Sequence, residues 1–146
     1  MEAGCYAGGI EAAESRLILS KQFLDRLVRE NLVTAELKQR VELVHADAGK
    51  DKTALLVNGR HATHIFMNSV VFSKASLKAI SRRLNATHFY VLMCHVKESL
   101  LATDFQLDDV IQLGPFEANK LIGGKGKFVP KVFVKIPSGS CALTRQ

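Results

Sequence analysis

Residues 53–72 read TALLVNGRHATHIFMNSVVF, two apolar runs on either side of Asn58-Gly59. An Asn-Gly pair between β-type runs is a strong signal for a two-residue hairpin, since both central residues of a type I′ turn need a positive φ. We therefore predict one strand over Thr53 to Val57 and a longer one over Arg60 to Phe72, joined by that turn.

The sequence before this hairpin predicts helix and then strand. Apolar residues from Phe23 to Val28 recur on one helical face, and Ser20 is a fair N-cap, so an amphipathic helix of about three turns begins there. A short helical turn follows Thr34. From Val41 to about Ala46 the apolar period shortens to two, which indicates a strand.

The sequence after the hairpin predicts a helix and three strands. The helix covers Ser73 to Leu84, and strands follow over His88 to Lys97 and Leu100 to Leu113. A last strand covers Lys127 to Ile136, and Pro130 favours an edge position because proline cannot donate to a ladder.

The composition is that of an ordinary globular protein. Of 146 residues 47% are hydrophobic and 23% charged, and no apolar run is long enough to span a bilayer. We predict a flexible lead over 1–15, one domain over 16–137 and a flexible tail over 138–146. The N-terminus has no signal-peptide pattern and the three cysteines are scattered, so reduced thiols in the nucleus or cytoplasm are the simplest interpretation.

The excess of positive charge has a definite place in the chain. Residues 1–117 contain 14 Lys/Arg and 14 Asp/Glu, so their net charge is zero. Residues 118–146 contain no acidic residue and carry the whole excess: Lys120, Lys125, Lys127, Lys131, Lys135 and Arg145.

Five strands with a helix between the third and the fourth is the order of the OB-fold, a five-stranded Greek-key barrel. The fold class expected is therefore mainly β, with two or three helices. Over about residues 19–124 the chain resembles the N-terminal OB domain of the replication protein A large subunit, through Leu19-Ser20-Lys21, the apolar run ending in Asn58-Gly59 and Leu121-Ile122-Gly123. The resemblance implies a nuclear domain whose basic cleft takes acidic segments of replication, checkpoint or telomere proteins and binds single strands weakly.

A candidate binding face lies on the last predicted strand, where Lys131, Phe133 and Lys135 share one parity. Lysines can meet phosphates and an aromatic ring can stack on a base, so this pattern is typical of single-strand binding. Further cations that could contribute are Lys125, Lys127, Arg60 and His45. The alternative is a strand whose lysines only prevent aggregation.

The sequence offers little for catalysis or metal binding. His61 and His64, like Cys94 and His95, would point to opposite faces of a strand, and Asp104, Asp108 and Asp109 have no nearby base to complete a nuclease site. We therefore expect no cofactor, no metal and no enzymatic activity.

The function expected is binding within a DNA replication, repair or telomere-maintenance assembly, with single-stranded nucleic acid or acidic protein segments as partners. The alternative is a protein-protein interaction module of a larger complex that makes no contact with nucleic acid.

Overall fold

The computed structural model describes residues 5–51, 55–114 and 130–136, which form eight strands and four helices. The chain divides into two compact units, Met1–Ala62 and Thr63–Gln146. The single-domain boundary at 16–137 stays a prediction. In chain order the elements are β1 (Ala7–Glu11), α1 (Glu14–Arg29), α2 (Ala35–Gln39), β2 (Val41–His45), β3 (Leu56–Val57), β4 (Arg60–His61), β5 (His64–Met67), α3 (Lys74–Asn85), β6 (Val91–Cys94), α4 (Glu98–Leu101), β7 (Val110–Leu113) and β8 (Lys131–Lys135).

The prediction of a mainly β, OB-type barrel is wrong. The described residues contain two two-stranded sheets and one four-stranded sheet of order β5-β6-β8-β7, and they form no closed barrel. Two pairs are parallel, β1 with β2 and β5 with β6, and each is connected through helices as a βαβ unit. A strand-helix-strand order suits a barrel with an inserted helix as well as a βαβ unit, because the order of elements does not give strand direction.

The first strand lies in the stretch predicted as a flexible lead. β1 pairs with β2 from Ala7 opposite Val41 to Glu11 opposite His45. A Cβ atom on Gly8 would overlap the side chain of Val57, and one on Gly9 would lie 2.8 Å from Leu43 Cδ2. The glycines that suggested flexibility therefore let side chains pack closely against both faces of β1.

α1 begins six residues before the predicted N-cap. Ser20 lies inside the helix, where its hydroxyl donates to the carbonyl of Arg16 at 2.9 Å. This local bond satisfies the serine within a helix, so Ser20 need not mark a helix start. The short turn after Thr34 is confirmed as α2, with the Thr34 hydroxyl accepting from the Leu37 N–H.

The Asn-Gly hairpin is confirmed. Asn58 has φ 50° and Gly59 φ 72°, as a type I′ turn requires, and they join β3 to β4. The long strand predicted from Arg60 to Phe72 is wrong, because β4 ends at His61 and β5 belongs to another sheet.

The second unit has its core between α3 and one face of the four-stranded sheet. α3 is confirmed, with Ser73 accepting from the Ser76 N–H as N-cap. Buried apolar residues line one side of the helix and one face of the sheet: Leu77, Ile80, Leu84, Leu92, Cys94 and Phe133. No helix among the described residues is long and apolar enough to cross a membrane.

Two strand predictions in this unit need correction. β8 is not an edge strand, since it lies between β6 and β7 and pairs antiparallel with both. Pro130 precedes the first paired residue, Lys131, so its missing N–H does not interrupt the ladder. The strand predicted over Leu100 to Leu113 begins as α4, and only Val110–Leu113 is extended.

Candidate functional site

Phe133, the predicted stacking residue, is buried. Only 6% of its surface is exposed to solvent, and it lies opposite Leu92 on β6 and Gln112 on β7. As the prediction required, Lys131, Phe133 and Lys135 share one face of β8, but this face points into the core. A base could not stack on the ring without opening the unit.

Lys135 is bound to the end of α3. Its ammonium donates to the carbonyl oxygens of Leu84 at 3.3 Å, Asn85 at 3.0 Å and Thr87 at 3.2 Å, and lies 5.2 Å from the centre of the Phe89 ring. The last carbonyls of a helix have no partner within it and carry a partial negative charge. Lys135 therefore caps α3.

Lys131 is also committed within the unit. Its side chain is 17% exposed and forms an ion pair with Glu98 at the start of α4. Among the other predicted cations, Lys125 and Lys127 lie outside the described residues. Arg60 is exposed on β4 and His45 on β2, both in the first unit.

A different group of polar side chains lies at the carboxyl ends of β1 and β2. Glu11 and His45 are the last pair of the parallel register, so their side chains lie on the same face. The Glu11 carboxylate accepts from the Ala13 N–H at 2.8 Å and lies 3.2 Å from the Arg16 guanidinium, both through Oε1. The His45 Nε2 lies 3.0 Å from the Ala12 carbonyl oxygen.

The other Glu11 oxygen is available. Within the described part of the chain Oε2 accepts no hydrogen bond, and the side chain is 29% exposed. Sequence reasoning missed this residue because it fell in the supposed lead. The signal that could have found it is an acid that follows a short, small and apolar run and directly precedes a helix.

Asp47, two residues after β2, is occupied by its own turn. Its Oδ1 accepts from the Gly49 N–H at 2.9 Å, and its main-chain carbonyl accepts from Lys50 and Asp51. Such a turn is the usual local use of an aspartate side chain. Among the described residues at this edge, Glu11 therefore keeps one carboxylate oxygen that can accept a hydrogen bond from a ligand.

The carboxyl ends of β5 and β6 hold Ser69 and His95. The Ser69 hydroxyl donates to the His95 carbonyl at 2.8 Å, and the His95 ring meets Phe66 edge-on with the ring centres 5.8 Å apart. His95 Nδ1 is buried and has no hydrogen-bond partner among the described residues. Burial raises the pKa of the neighbouring Cys94 thiol to about 12, so this thiol is protonated and a poor nucleophile at neutral pH.

Asp104 serves a structural ion pair. The hydroxyl of Thr103 donates to it at 2.8 Å and Lys78 lies 3.4 Å away. These two contacts, the Thr103 bond first, lower the pKa of Asp104. The described residues contain no group of three or more His, Cys, Asp or Glu side chains that could hold a metal ion.

Comparison with known proteins gives no relative. No family model, curated protein or solved structure matches the chain.

Proposed function

We propose that the chain binds an adenosine-containing cofactor at the carboxyl ends of β1 and β2, with Glu11 accepting hydrogen bonds from the ribose hydroxyls. The observation that carries the proposal is that Glu11 lies at the end of a parallel strand and that its Oε2 has no hydrogen-bond partner among the residues the structure describes. Open α/β sheets bind ligands outside the carboxyl ends of their strands, and an acidic side chain at such an end is a common ribose ligand.

Two contacts hold the Glu11 carboxylate in one orientation before a ligand binds. Oε1 is held by the Ala13 N–H and by Arg16, both at the start of α1. A ribose hydroxyl would therefore meet a carboxylate whose second oxygen points in a fixed direction. Orienting the group beforehand lowers the entropy cost of binding.

The β1-α1 turn favours a cofactor without phosphates. Dinucleotides and nucleotides need a glycine-rich turn whose N–H groups approach the phosphates. The turn at 12–13, between β1 and α1, contains no glycine. S-adenosylmethionine combines adenosine with an amino acid and carries no phosphate, so we propose it as the ligand and methyl transfer as the reaction class.

The strand order of the second unit is also consistent with S-adenosylmethionine as the ligand. Its sheet places an antiparallel strand, β8, between the parallel pair and the edge strand β7. Methyltransferases that use S-adenosylmethionine share this order, which is an analogy between folds and not an argument about a site. The non-enzymatic binding function expected from the sequence stays a proposal, as the second candidate below.

The test is calorimetric titration of the full chain with S-adenosylmethionine, NADH and ATP. We expect S-adenosylmethionine to bind most tightly and Glu11→Gln to weaken it about 10- to 100-fold, the range for one charged hydrogen-bond acceptor. Glu14→Gln is the matched control, because it removes an acid three residues away in the first turn of α1. Absence of binding, or equal binding by Glu11→Gln, overturns the proposal.

A second candidate function is polyanion binding by the second unit. Residues 63–146 contain 11 Lys/Arg and 5 Asp/Glu, whereas residues 1–62 contain nine of each. Lys74, Lys78 and Arg82 are exposed on α3 at four-residue intervals. Like charges at this spacing disfavour a helix, so a bound anion would stabilise it. Single-stranded nucleic acid in a nuclear assembly is the partner that we propose.

Salt dependence tests this second candidate. Fluorescence anisotropy with labelled single-stranded DNA should show binding that weakens with salt, and Lys74→Glu with Arg82→Glu should lower the log-log slope by about 0.7 for each lost phosphate contact. Lys21→Glu, an exposed position on α1, is the control. Binding that is insensitive to salt and to these substitutions contradicts the proposal; titration by an acidic peptide alone would favour a protein partner instead.

A further inference from the structure

One peptide group connects His45 to the proposed ribose-binding carboxylate. The carbonyl of Ala12 lies 3.0 Å from His45 Nε2, and the N–H of Ala13 donates to Glu11 Oε1 at 2.8 Å. These two groups are the two ends of the same Ala12–Ala13 peptide. Since a peptide group is planar and rigid, fixing its carbonyl also fixes the direction of its N–H.

The contact with the Ala12 carbonyl determines which ring nitrogen of His45 carries a proton. A carbonyl oxygen can only accept, so His45 Nε2 must carry the proton and donate. In the neutral ring the proton is then on Nε2 and Nδ1 is an acceptor. Donation to the Ala12 carbonyl also polarises the peptide, which strengthens the bond from the Ala13 N–H to Glu11.

The other hydrogen bonds near the Ala12–Ala13 peptide show that His45 restrains it where the pairing of β1 with β2 does not. The ladder between β1 and β2 ends at Glu11 and His45, followed by one bond from the Ala46 N–H to the Glu11 carbonyl. The described residues give the Ala12 carbonyl no other hydrogen bond. Without His45 this peptide could rotate, and the carboxylate would lose the donor that orients it.

We propose that His45 is a positioning residue that acts on Glu11 through the Ala12–Ala13 peptide and so sets the preference of the site for ribose over deoxyribose. The inference rests on the proposed function of Glu11. It assigns His45 no contact with the ligand. The two hydroxyls of a ribose need both the position and the direction of Oε2, whereas a 2′-deoxyribose offers fewer donors and is less sensitive to its direction.

The first test compares His45→Phe with His45→Gln in the full chain. Phenylalanine keeps the ring but not the donor, whereas the glutamine amide can donate from a similar position. We expect His45→Phe to weaken S-adenosylmethionine binding about tenfold, the value of one hydrogen bond of about 1.4 kcal/mol, and His45→Gln to remain within about threefold. The ratio of adenosine to 2′-deoxyadenosine affinity should fall in the Phe variant only.

A double-mutant cycle provides a second readout. If His45 acts through Glu11, Glu11→Gln with His45→Phe should bind as weakly as Glu11→Gln alone. Additive losses would overturn the inference, and so would equal losses in the Phe and Gln variants. His64→Phe, a histidine of the second unit, controls for a general effect of the substitution.

The Ala13 amide gives a readout that needs no ligand. In amide NMR of the free chain, His45→Phe should speed hydrogen exchange at Ala13 and shift its proton upfield, while His45→Gln should change neither. An unchanged Ala13 amide in His45→Phe overturns the inference even if the ligand binds. Absence of any adenosine binding with the expected amide changes would overturn the proposed function but leave the connection between His45 and Glu11 standing.

Discussion

The ammonium of Lys135 lies 3.0 Å from the carbonyl oxygen of Asn85, so the last residue of β8 binds the end of α3 across 50 positions of sequence. With the bonds to Leu84 and Thr87, one lysine satisfies three main-chain carbonyls. A pattern of lysines on a strand, which predicted a phosphate-binding surface, therefore includes a residue that holds the helix to the sheet.

Removal of this cap should destabilise the protein. Lys135→Met keeps most of the aliphatic chain but removes the ammonium donor from all three carbonyls, of which that of Leu84 still accepts from the Thr87 N–H, so the free energy of unfolding should fall by about 1–2 kcal/mol. Urea denaturation followed by circular dichroism measures the change. Lys97→Met, at an exposed position before α4, is the control. Equal midpoints for the two variants would show that the cap contributes nothing.

The close packing at Gly8 makes a second prediction. Gly8 is exposed and Val57 is half-buried, but the Cβ of Gly8→Ala would overlap the Val57 side chain, so the protein should lose about 1 kcal/mol, the low end of the cost of overpacking. Val57→Ala should recover part of this loss in the double variant, because it removes the opposing methyl groups. Among the residues the structure describes, no atom lies within 4 Å of a Cβ on Gly114, so Gly114→Ala should be neutral. Thermal unfolding measures the stability of the four variants. A double variant no more stable than Gly8→Ala would argue against close packing between Gly8 and Val57.

Burial of Cys94 predicts selective thiol chemistry. Its pKa is raised from 9.0 to about 12 by burial, whereas Cys5 is exposed. Iodoacetamide at pH 8 should therefore label Cys5 and leave Cys94 unmodified until the protein unfolds. Peptide mass spectrometry with and without urea measures both. Rapid labelling of Cys94 in the folded chain would contradict its burial.

The same shift predicts a loss of stability at alkaline pH. In the unfolded chain the thiol ionises above about pH 9, whereas in the folded protein it keeps its proton to about pH 12. The stabilisation is fully present below pH 9 and is lost as the pH rises towards 12, by up to about 1.4 kcal/mol for each pH unit. Urea titrations between pH 8 and 10.5 should show a steeper decline for the wild type than for Cys94→Ala. Parallel declines would mean that Cys94 does not contribute.

The face of the four-stranded sheet opposite the core is apolar and partly exposed. Phe66, Met93, Leu113 and Ile111 are exposed on this face, Phe66 at 65%, whereas Val132, the register partner of Met93 and Leu113, is buried. Exposed apolar patches bind hydrophobic dyes and promote association. We expect Phe66→Ser with Ile111→Thr to lower dye fluorescence and raise solubility. Val71 is exposed but lies outside the strands, so Val71→Thr should change neither. An equal effect of Val71→Thr would indicate that dye binding and association do not depend on the sheet face.

Local chemistry was sufficient for several elements. Asn58-Gly59 determines its own turn because both φ values are positive, and Thr34 and Ser73 cap α2 and α3 through bonds that span three residues. The helix predicted over Ser73 to Leu84 likewise depends on local spacing, since Leu77, Ile80 and Leu84 recur at three and four residues and are the buried apolar residues of α3. In each case the deciding interaction lies within a few residues, so the sequence by itself determined it.

The tertiary structure decided the rest, because the deciding partners are distant in sequence. The pairing of β1 with β2, more than 30 residues later, places Glu11 at the carboxyl end of a parallel strand beside His45, which its neighbours in sequence do not show. Strand direction distinguishes a βαβ unit from a barrel, and it depends on pairings between strands and not on the apolar period of either. Phe133 and Lys135 have the same sequence pattern whether their face is covered or open, and only the position of α3 against that face makes them core and cap.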